Sequence, residues 1–272
     1  MRTWLITGVS SGFGRELAVQ LLDRGDRVVG TVRKSDAVDD LVDAHPGAFR
    51  AELLDVTDTA ALREVVDRSF ADLGRIDVVV SNAGFGLFGA GEEYTDEQIR
   101  SIVDTNLIGS IQLIRAALPH LRAQGSGRIL QVSSYGGQVA FPATSLYHAT
   151  KWGIEGFAEA VAAEVAPFGI GVTIVEPGGA RTEFRSGSAR LAPAIDAYDG
   201  GPAHAYRGAL RTPAIGDPAK MAAAMIASVD VDPAPLRLLL GSDAFSRTRA
   251  VLARRLADLE AQRDLAASTD VR

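Results

Sequence analysis

Seven short apolar runs alternate along this chain with amphipathic segments, and this alternation limits its fold more than any other feature. The runs consist largely of consecutive Val, Ile and Leu, which is typical of strands covered on both faces. The predicted strands are Thr3–Thr7, Arg27–Val32, Phe49–Leu53, Ile76–Ser81, Arg128–Ser133, Gly171–Glu176 and Arg237–Leu240. The predicted helices between them are Gly14–Arg24, Thr59–Asp72, Asp96–Gln124, Thr144–Pro167 and Ala219–Val229. This repetition predicts a three-layer, doubly wound α/β fold with a seven-stranded parallel sheet.

Two regions interrupt the rhythm. Residues 183–215 are rich in Ala, Gly, Pro and Arg and have no clear period, so we predict a lid that binds substrate. Residues 243–265 have an amphipathic pattern that predicts a C-terminal helix. Because no linker or internal repeat divides the chain, residues 1–272 are predicted to form a single domain.

Composition excludes several classes of protein. The 272 residues include no Cys, which excludes disulfide frameworks, iron–sulfur clusters and thiol nucleophiles. A net charge of −6 does not suit a nucleic-acid surface. No apolar run approaches the ~20 residues of a membrane span, and no leader pattern is present, so a cytoplasmic protein is expected. His45, His120 and His204 lack ligand-like neighbours in sequence, so no metal site is expected.

A glycine-rich turn follows the first predicted strand, in the order Thr7-Gly8-Val9-Ser10-Ser11-Gly12-Phe13-Gly14. Its three glycines permit a tight turn, close approach of a pyrophosphate and packing of helix on strand. The spacing differs by one residue from the commoner dinucleotide fingerprint, and a plain glycine-rich turn fits about equally well. A Walker-type site is excluded, because no Gly-Lys-Ser or Gly-Lys-Thr follows.

The end of the second predicted strand bears on which dinucleotide such a turn would hold. NAD sites place a carboxylate there, whereas this chain has Arg33 and Lys34. A guanidinium can hold a 2′-phosphate in a bidentate fork and stack on adenine, so NADP is favoured over NAD. The alternative is that both side chains are solvated loop cations.

Tyr147 and Lys151 lie four residues apart at the start of a predicted helix and so share a face. An adjacent ammonium would lower the pKa of the phenol and suit it to general acid–base chemistry. Taken alone, such a pair is commonplace on protein surfaces. Ser134 follows a predicted strand at the sheet edge where ligands bind, and its hydroxyl can hydrogen-bond a substrate carbonyl. The alternative is that Ser133 and Ser134 form a cap or turn.

Together these residues resemble the classical short-chain dehydrogenase/reductase family over about residues 3–241, and most of all its 17β-hydroxysteroid-dehydrogenase-like branch. The motifs stand in family order: Thr7-Gly8 through Gly14, Asp55-Val56, Ser81-Asn82-Ala83-Gly84, Asn106, Ser134, Tyr147 with Lys151, and Pro177-Gly178 with Thr182. The resemblance implies a Rossmann fold, a nicotinamide cofactor and hydride transfer between a carbonyl and an alcohol. Ser81 departs from the family's more usual Asn, and Ser11 stands where some NADP-dependent members have a basic residue.

The resemblance also implies roles for particular residues. Tyr147 would be the general acid–base, Ser134 would orient the substrate oxygen, and Lys151 would hold the nicotinamide ribose. Asn106 would lie at a helix irregularity and anchor a water in a proton relay. With Arg33, the cofactor contacts would be Gly8, Ser10, Ser11, Gly12, Phe13, Gly14, Asp55, Val56, Asn82, Ala83, Gly84, Tyr147, Lys151, Pro177, Gly178 and Thr182. Family members are commonly dimers or tetramers, so a homodimer or homotetramer is expected.

The leading hypothesis is an NADP(H)-dependent oxidoreductase acting on an apolar ketone or hydroxy compound. Candidates for the substrate pocket are residues 138–141, residues 86–88, Phe184, Tyr198 and Tyr206. One alternative is a non-catalytic, cofactor-sensing regulatory protein of the same fold. Another is a lyase or epimerase acting on a bound nucleotide. No nucleic-acid or membrane partner is expected.

Other polar features are expected to lie outside the site. His148 follows Tyr147 by one residue, and this step rotates its side chain by about 100° around the helix. The acidic pairs Asp39-Asp40 and Glu92-Glu93 are expected to be solvated, as is the basic pair Arg254-Arg255 on the last helix.

Overall fold

A computed structural model of the protein describes residues 1–184, 187–210 and 212–271. Within these residues, seven strands form a parallel sheet and two short strands form a separate parallel pair. The sheet contains β1 (Thr3–Thr7), β2 (Arg27–Val32), β3 (Phe49–Leu53), β4 (Val78–Ser81), β6 (Gly127–Val132), β7 (Ile170–Pro177) and β9 (Arg237–Leu240), and the pair is β5 (Leu87–Phe88) with β8 (Arg190–Leu191). The predicted fold class is confirmed, and every predicted strand is present.

Helices cover both faces of the sheet. They are α1 (Gly12–Asp23), α2 (Asp39–Ala44), α3 (Thr59–Leu73), α4 (Asp96–Val103), α5 (Ser110–Gln124), α6 (Ser145–Val165), α7 (Pro202–Ala209), α8 (Pro218–Ser228), α9 (Ser242–Glu260) and α10 (Arg263–Ser268). In β1, Trp4 and Ile6 pack in one cluster with residues of α1 and α8. Leu5, between them, packs in the opposite cluster with α3, α5 and α6. Because alternate side chains enter two buried layers, the strand is a continuous apolar run.

The strand order is β3-β2-β1-β4-β6-β7-β9. The chain builds outward from β1 to β3, and then returns to the centre to add β4 on the other side of β1. Connections therefore leave the carboxyl ends of β1 and β4 in opposite directions, which opens a crevice between them. Ligands of doubly wound sheets bind in such a crevice.

The predicted helix over residues 96–124 is divided in three. α4 ends at Val103, a π-helical turn occupies Asp104–Gly109, and α5 begins at Ser110. A π-helical turn accommodates an extra residue and occurs frequently at functional sites. Asn106 lies within this turn, as the family resemblance implied.

The predicted lid lies between β7 and α8. It contains β8, which pairs with β5, and the short helix α7. Arg185, Ser186 and Arg211 fall in this region but lie outside the described residues, so its role as a lid stays a prediction. The single-domain organisation is likewise a prediction.

The predicted C-terminal helix is present as two helices, α9 and α10. In the part of the chain described, no helix has both the length and the apolar character to cross a membrane.

Candidate active site

A cleft of about 360 Å³ opens at the carboxyl ends of β1, β4, β6 and β7. It brings together nearly all of the predicted site residues. Those that line it are Gly8, Ser10, Ser11, Gly12, Phe13, Arg33, Asp55, Val56, Asn82, Ala83, Gly84, Ser134, Tyr147, Lys151, Pro177, Gly178 and Thr182. Gly14 and Asn106 do not line the cleft, and they instead support its wall from behind.

The glycine turn forms one end of this cleft. Gly8 has a φ of 75°, which favours glycine, and a Cβ at Gly14 would come within 2.2 Å of the Gly8 carbonyl oxygen. α1 begins at Gly12, directly after the turn. The Ser11 side chain makes no capping hydrogen bond, and the first turn contains no acidic residue. The N–H groups at this helix end are therefore available to an anion.

Asn82 fixes the glycine turn to the end of β4. Its Nδ2 donates hydrogen bonds to the carbonyl oxygens of Thr7 (2.9 Å) and Gly8 (3.0 Å). The Asn82 main-chain N–H also donates to the Thr7 hydroxyl oxygen at 3.0 Å. The two bonds from Nδ2 explain why an amide side chain at this position suits the motif.

Arg33 and Asp55 lie at the same end of the cleft as the glycine turn, just after β2 and β3. Asp55 accepts hydrogen bonds from the N–H (3.0 Å) and hydroxyl (2.8 Å) of Thr57. The N–H bond from Thr57 lowers the pKa of Asp55, and the hydroxyl bond and the nearby Arg33 charge add to the effect. Arg33 is exposed and lines the cleft, whereas the neighbouring Lys34 is exposed but does not line it.

The predicted catalytic residues meet at the centre. Ser134 Oγ accepts a hydrogen bond from Gly136 N–H at 3.1 Å. Lys151 Nζ donates to the Val132 carbonyl oxygen at 3.0 Å and lies 5.8 Å from the centre of the Tyr147 ring. Tyr147 and Lys151 project from the same face of α6, as their spacing predicted.

The ionisation of this pair differs from our expectation. Burial raises the pKa of Tyr147, and the hydrogen bond with Ser134 only partly opposes this. Burial also lowers the pKa of Lys151 to about 8, and the negative charge of Glu155 opposes this only in part. The pKa of Tyr147 is therefore raised and not lowered as expected, because removal of the phenol from water outweighs the hydrogen bond with Ser134.

Asn106 holds the loop after β4. Its Nδ2 donates to the carbonyl oxygen of Phe85 at 2.8 Å, and its Oδ1 accepts from the Phe85 N–H at 3.0 Å. A Cβ at Gly84 would lie only 3.1 Å from Asn106 Oδ1. The π-helical turn thus positions an amide side chain against the wall formed by residues 82–84. Its implied role in a proton relay stays a prediction.

His148 lines the cleft, and our expectation that it would lie outside was wrong. Its ring centre lies 5.8 Å from that of Tyr147 and 5.4 Å from that of Phe141. The 100° rotation does move His148 around α6, but the turn Tyr135–Gly137 packs against that side too. The cleft therefore touches two sides of the helix. Burial lowers the pKa of His148 to about 4.

Glu93 is buried, which contradicts the predicted solvated surface, although Glu92 and the pair Asp39-Asp40 are exposed. Its Oε1 accepts hydrogen bonds from His204 Nε2 (2.6 Å) and Ile195 N–H (2.9 Å). Its Oε2 accepts from Ala90 N–H and from Arg207 Nη1. Burial raises the pKa of Glu93, but these donors outweigh it and lower the value to about 2. His204 thus has two acidic neighbours, Glu93 and Asp199, that the sequence did not indicate. Among the residues described, no group of side chains is suited to hold a metal ion.

Arg255 is also placed differently from our expectation. Its Nη1 donates to the Gln138 carbonyl oxygen at 2.6 Å, and its guanidinium lies over the Trp152 ring at 4.6 Å. It therefore ties α9 to α6, while Arg254 is exposed as predicted.

The substrate end of the cleft is partly as predicted. Phe88, Phe184 and Tyr206 line it. Val139 is instead buried in the interior, and Gln138 Nε2 bonds Glu176 at 2.5 Å. Phe141 and Tyr198 lie behind the wall. Sequence reasoning missed several lining residues, namely Tyr135, Thr144, His148 and Leu210. Tyr135 and His148 directly follow predicted catalytic residues, and that adjacency is a signal that could have identified them.

Comparisons with known proteins agree with this geometry. The short chain dehydrogenase family model matches residues 2–190. Oxidoreductase BOA17 of Botryotinia fuckeliana is 38% identical over 248 residues, covering 89% of this chain and 90% of that protein. Human 17-beta-hydroxysteroid dehydrogenase type 1 is 36% identical over 192 residues, which cover 66% of this chain and 57% of that protein.

Solved structures show the same fold. A short-chain dehydrogenase from Streptomyces avermitilis is 42% identical, with a TM-score of 0.93, covering 99% of this chain and 98% of that one. Three further structures were determined with NADP or NADPH bound; each is 24% identical, and at that level the likeness shows the fold alone. The chain belongs to the short-chain dehydrogenase family, as its motifs indicated, and is an oxidoreductase of that family.

Proposed function

We propose that this protein is an NADP(H)-dependent oxidoreductase that interconverts a carbonyl compound and a secondary alcohol. The observation that carries the proposal is the composition of one cleft. The glycine turn and Arg33 stand at one end, and Ser134, Tyr147 and Lys151 stand together at its centre. The proposal places a dinucleotide along the cleft from the glycine turn to Lys151, and the carbonyl compound beside Ser134 and Tyr147.

The residues that line the cleft fit a dinucleotide. The open N–H groups at the start of α1 suit a pyrophosphate, and the Arg33 guanidinium suits a 2′-phosphate. Asp55 and Val56 would meet the adenine, while residues 177–182 would bracket the nicotinamide. When bound, a nicotinamide supplies or accepts the hydride.

Acid–base chemistry is assigned to Tyr147. In the reducing direction its hydroxyl gives a proton to the substrate oxygen, and the Ser134 hydroxyl holds that oxygen by a hydrogen bond. A protonated Lys151 stabilises the phenolate that remains, since it lies beside the same ring. We assign replacement of the proton to a path through Lys151 and the region of Asn106.

The proposal is tested by fluorescence titration of the purified protein with NADPH and with NADH. Tight binding of NADPH, weak binding of NADH and consumption of NADPH with a panel of ketones support it. A preference for NADH would contradict the assignment of Arg33 to the 2′-phosphate, but it would leave the assignment of hydride transfer unchanged. Binding of cofactor without turnover of any ketone would instead indicate a regulatory protein. The expected homodimer or homotetramer and the cytoplasmic location stay predictions.

A further inference from the structure

The hydrogen on the His148 ring can be assigned from its neighbours. His148 Nδ1 lies 3.1 Å from the Thr144 hydroxyl oxygen. That hydroxyl donates its single hydrogen to the Phe141 carbonyl oxygen, 2.7 Å away, and can therefore only accept from His148. Nδ1 carries the ring hydrogen, by the logic of the hydrogen-bond network.

The other ring nitrogen is an acceptor. Because burial lowers the pKa of His148 to about 4, the ring is neutral at neutral pH and Nε2 keeps a free lone pair. No donor in the described residues reaches Nε2. Among the described residues, the buried side-chain atoms without a hydrogen-bond partner are Arg27 Nε, Gln131 Oε1, Asp243 Oδ1 and Thr248 Oγ1. His148 Nε2 is not one of them, so it is not a buried atom that lacks a partner. Nε2 therefore faces the open space of the cleft that His148 lines.

This acceptor lies close to the position where a substrate oxygen would react. A Cβ at Gly136 would be 2.6 Å from His148 Nε2 and 3.4 Å from Ser134 Oγ, so these two polar atoms lie within about 6 Å of each other. Tyr206 lines the same cleft and stacks on Phe141 behind it, with ring centres 6.1 Å apart. A group bonded to Nε2 would therefore be only a few bonds from a carbonyl held by Ser134.

We infer that His148 recognises a hydrogen-bond donor on the substrate, a hydroxyl or N–H on the first or second carbon from the reacting carbonyl. The inference rests on the proposed function and specifies its substrate as a hydroxy or amino carbonyl compound, or the diol or amino alcohol of the reverse reaction. A carboxylate or ether oxygen at this position would face the Nε2 acceptor with a second acceptor. Binding of such a substrate is therefore disfavoured. A purely apolar ketone leaves the buried acceptor without its partner.

Kinetics with two ketones test the inference. 2-Hydroxy-1-phenylethanone and 2-methoxy-1-phenylethanone both carry an electron-withdrawing oxygen, but only the first has a donor hydrogen. We expect the ratio of their kcat/KM values, with NADPH, to be at least tenfold in favour of the hydroxy compound. His148→Phe should reduce this ratio about tenfold, whereas His148→Gln, which keeps an acceptor, should retain most of it. A ratio unchanged in His148→Phe would overturn the inference.

A measurement without turnover keeps this result separate from the proposed function. Histidine ¹⁵N NMR of the protein with NADPH should show His148 neutral, with hydrogen on Nδ1 and none on Nε2. Thr144→Val removes the partner of Nδ1 and should shift the ring toward the other tautomer. Hydrogen on Nε2 in the unmodified protein would contradict the inference. If NADPH binds and neither these ketones nor any of the panel is reduced, the proposed function fails, while the NMR result still shows whether Nε2 is the acceptor that the inference requires.

Discussion

Oε1 of Glu93 and Nε2 of His204 lie 2.6 Å apart, although 111 residues separate them along the chain. Glu93 follows β5, and His204 belongs to α7 in the predicted lid. The same carboxylate also accepts from Arg207, one turn further along α7. Tyr206 on this helix lines the substrate end of the cleft. The buried carboxylate therefore anchors the helix that carries this lining residue.

This anchor should make the docking of α7 depend on pH. The pKa of Glu93 falls to about 2 from its ordinary 4.5, so its contribution is present above pH 4.5 and is lost toward pH 2. The pKa of His204 is raised by Glu93, so its contribution is complete below its ordinary 6.5 and is lost as pH rises through the raised value. We expect hydrogen exchange in residues 202–208, corrected for intrinsic rates, to be slowest between these limits. Glu93→Gln should remove the dependence, and an identical pH profile in that variant would refute the anchor.

Tyr147→Phe should separate binding from chemistry. The phenyl ring preserves the packing against Phe88 and Phe184, but it has no proton to give. We expect kcat/KM for ketone reduction to fall by about 10²–10⁴-fold, the usual range for a general acid. The Kd for NADPH should change less than twofold. Retained turnover would show that another group supplies the proton.

Arg33→Ala should weaken the binding of NADPH and leave the binding of NADH nearly unchanged. Loss of hydrogen bonds to a charged phosphate is worth roughly 1.5–3 kcal/mol, which corresponds to at least about a tenfold rise in the Kd for NADPH. Lys34→Ala is the matched control, because Lys34 is an adjacent exposed cation that does not line the cleft. Equal effects of the two variants would mean that general charge, and not a specific contact, favours the phosphate.

Gly14→Ala should disrupt the glycine turn. The added methyl would lie 2.2 Å from the Gly8 carbonyl oxygen and 2.6 Å from Asn82 Nδ2, so the backbone must shift. We expect roughly 1–3 kcal/mol of destabilisation in denaturant unfolding, together with weaker NADPH binding. Gly156→Ala in α6 is the control, since a Cβ there meets nothing within 4 Å. Removing a helical glycine should stabilise the protein by roughly 0.5–1 kcal/mol.

The inner strands of the sheet were predictable from sequence because they are buried on both faces. The limits of β1, β2, β3 and β9 are those predicted, although the edge strands β3 and β9 are only partly buried. The glycine-turn end of the cleft was predictable for a related reason. Its residues follow strand ends directly, and parallel strands bring those ends to one edge.

The missed features depend on contacts between distant segments. Glu93 and Glu92 look alike in sequence, and only the return of α7 buries one of them. His148 was judged from helix rotation alone, which takes no account of the turn Tyr135–Gly137 packed against α6. Arg255 has a partner on α6 that no local pattern indicates. Local periodicity describes a helix face but not which other segments cover it.

The pairing of β5 with β8 attaches the start of the predicted lid through its main chain. Gly86 and Phe88 carbonyl oxygens accept from the N–H groups of Arg190 (2.8 Å) and Ala192 (2.9 Å). The Leu191 side chain is exposed, whereas the Arg190 guanidinium lies over the Phe85 ring at 4.4 Å and donates to Ser101 Oγ at 3.4 Å. The main-chain bonds require no particular side chain, so residue 191 can be exchanged during evolution without releasing the segment. Related enzymes are free to diverge in the molecules they accept while the hydride-transfer machinery beneath stays the same.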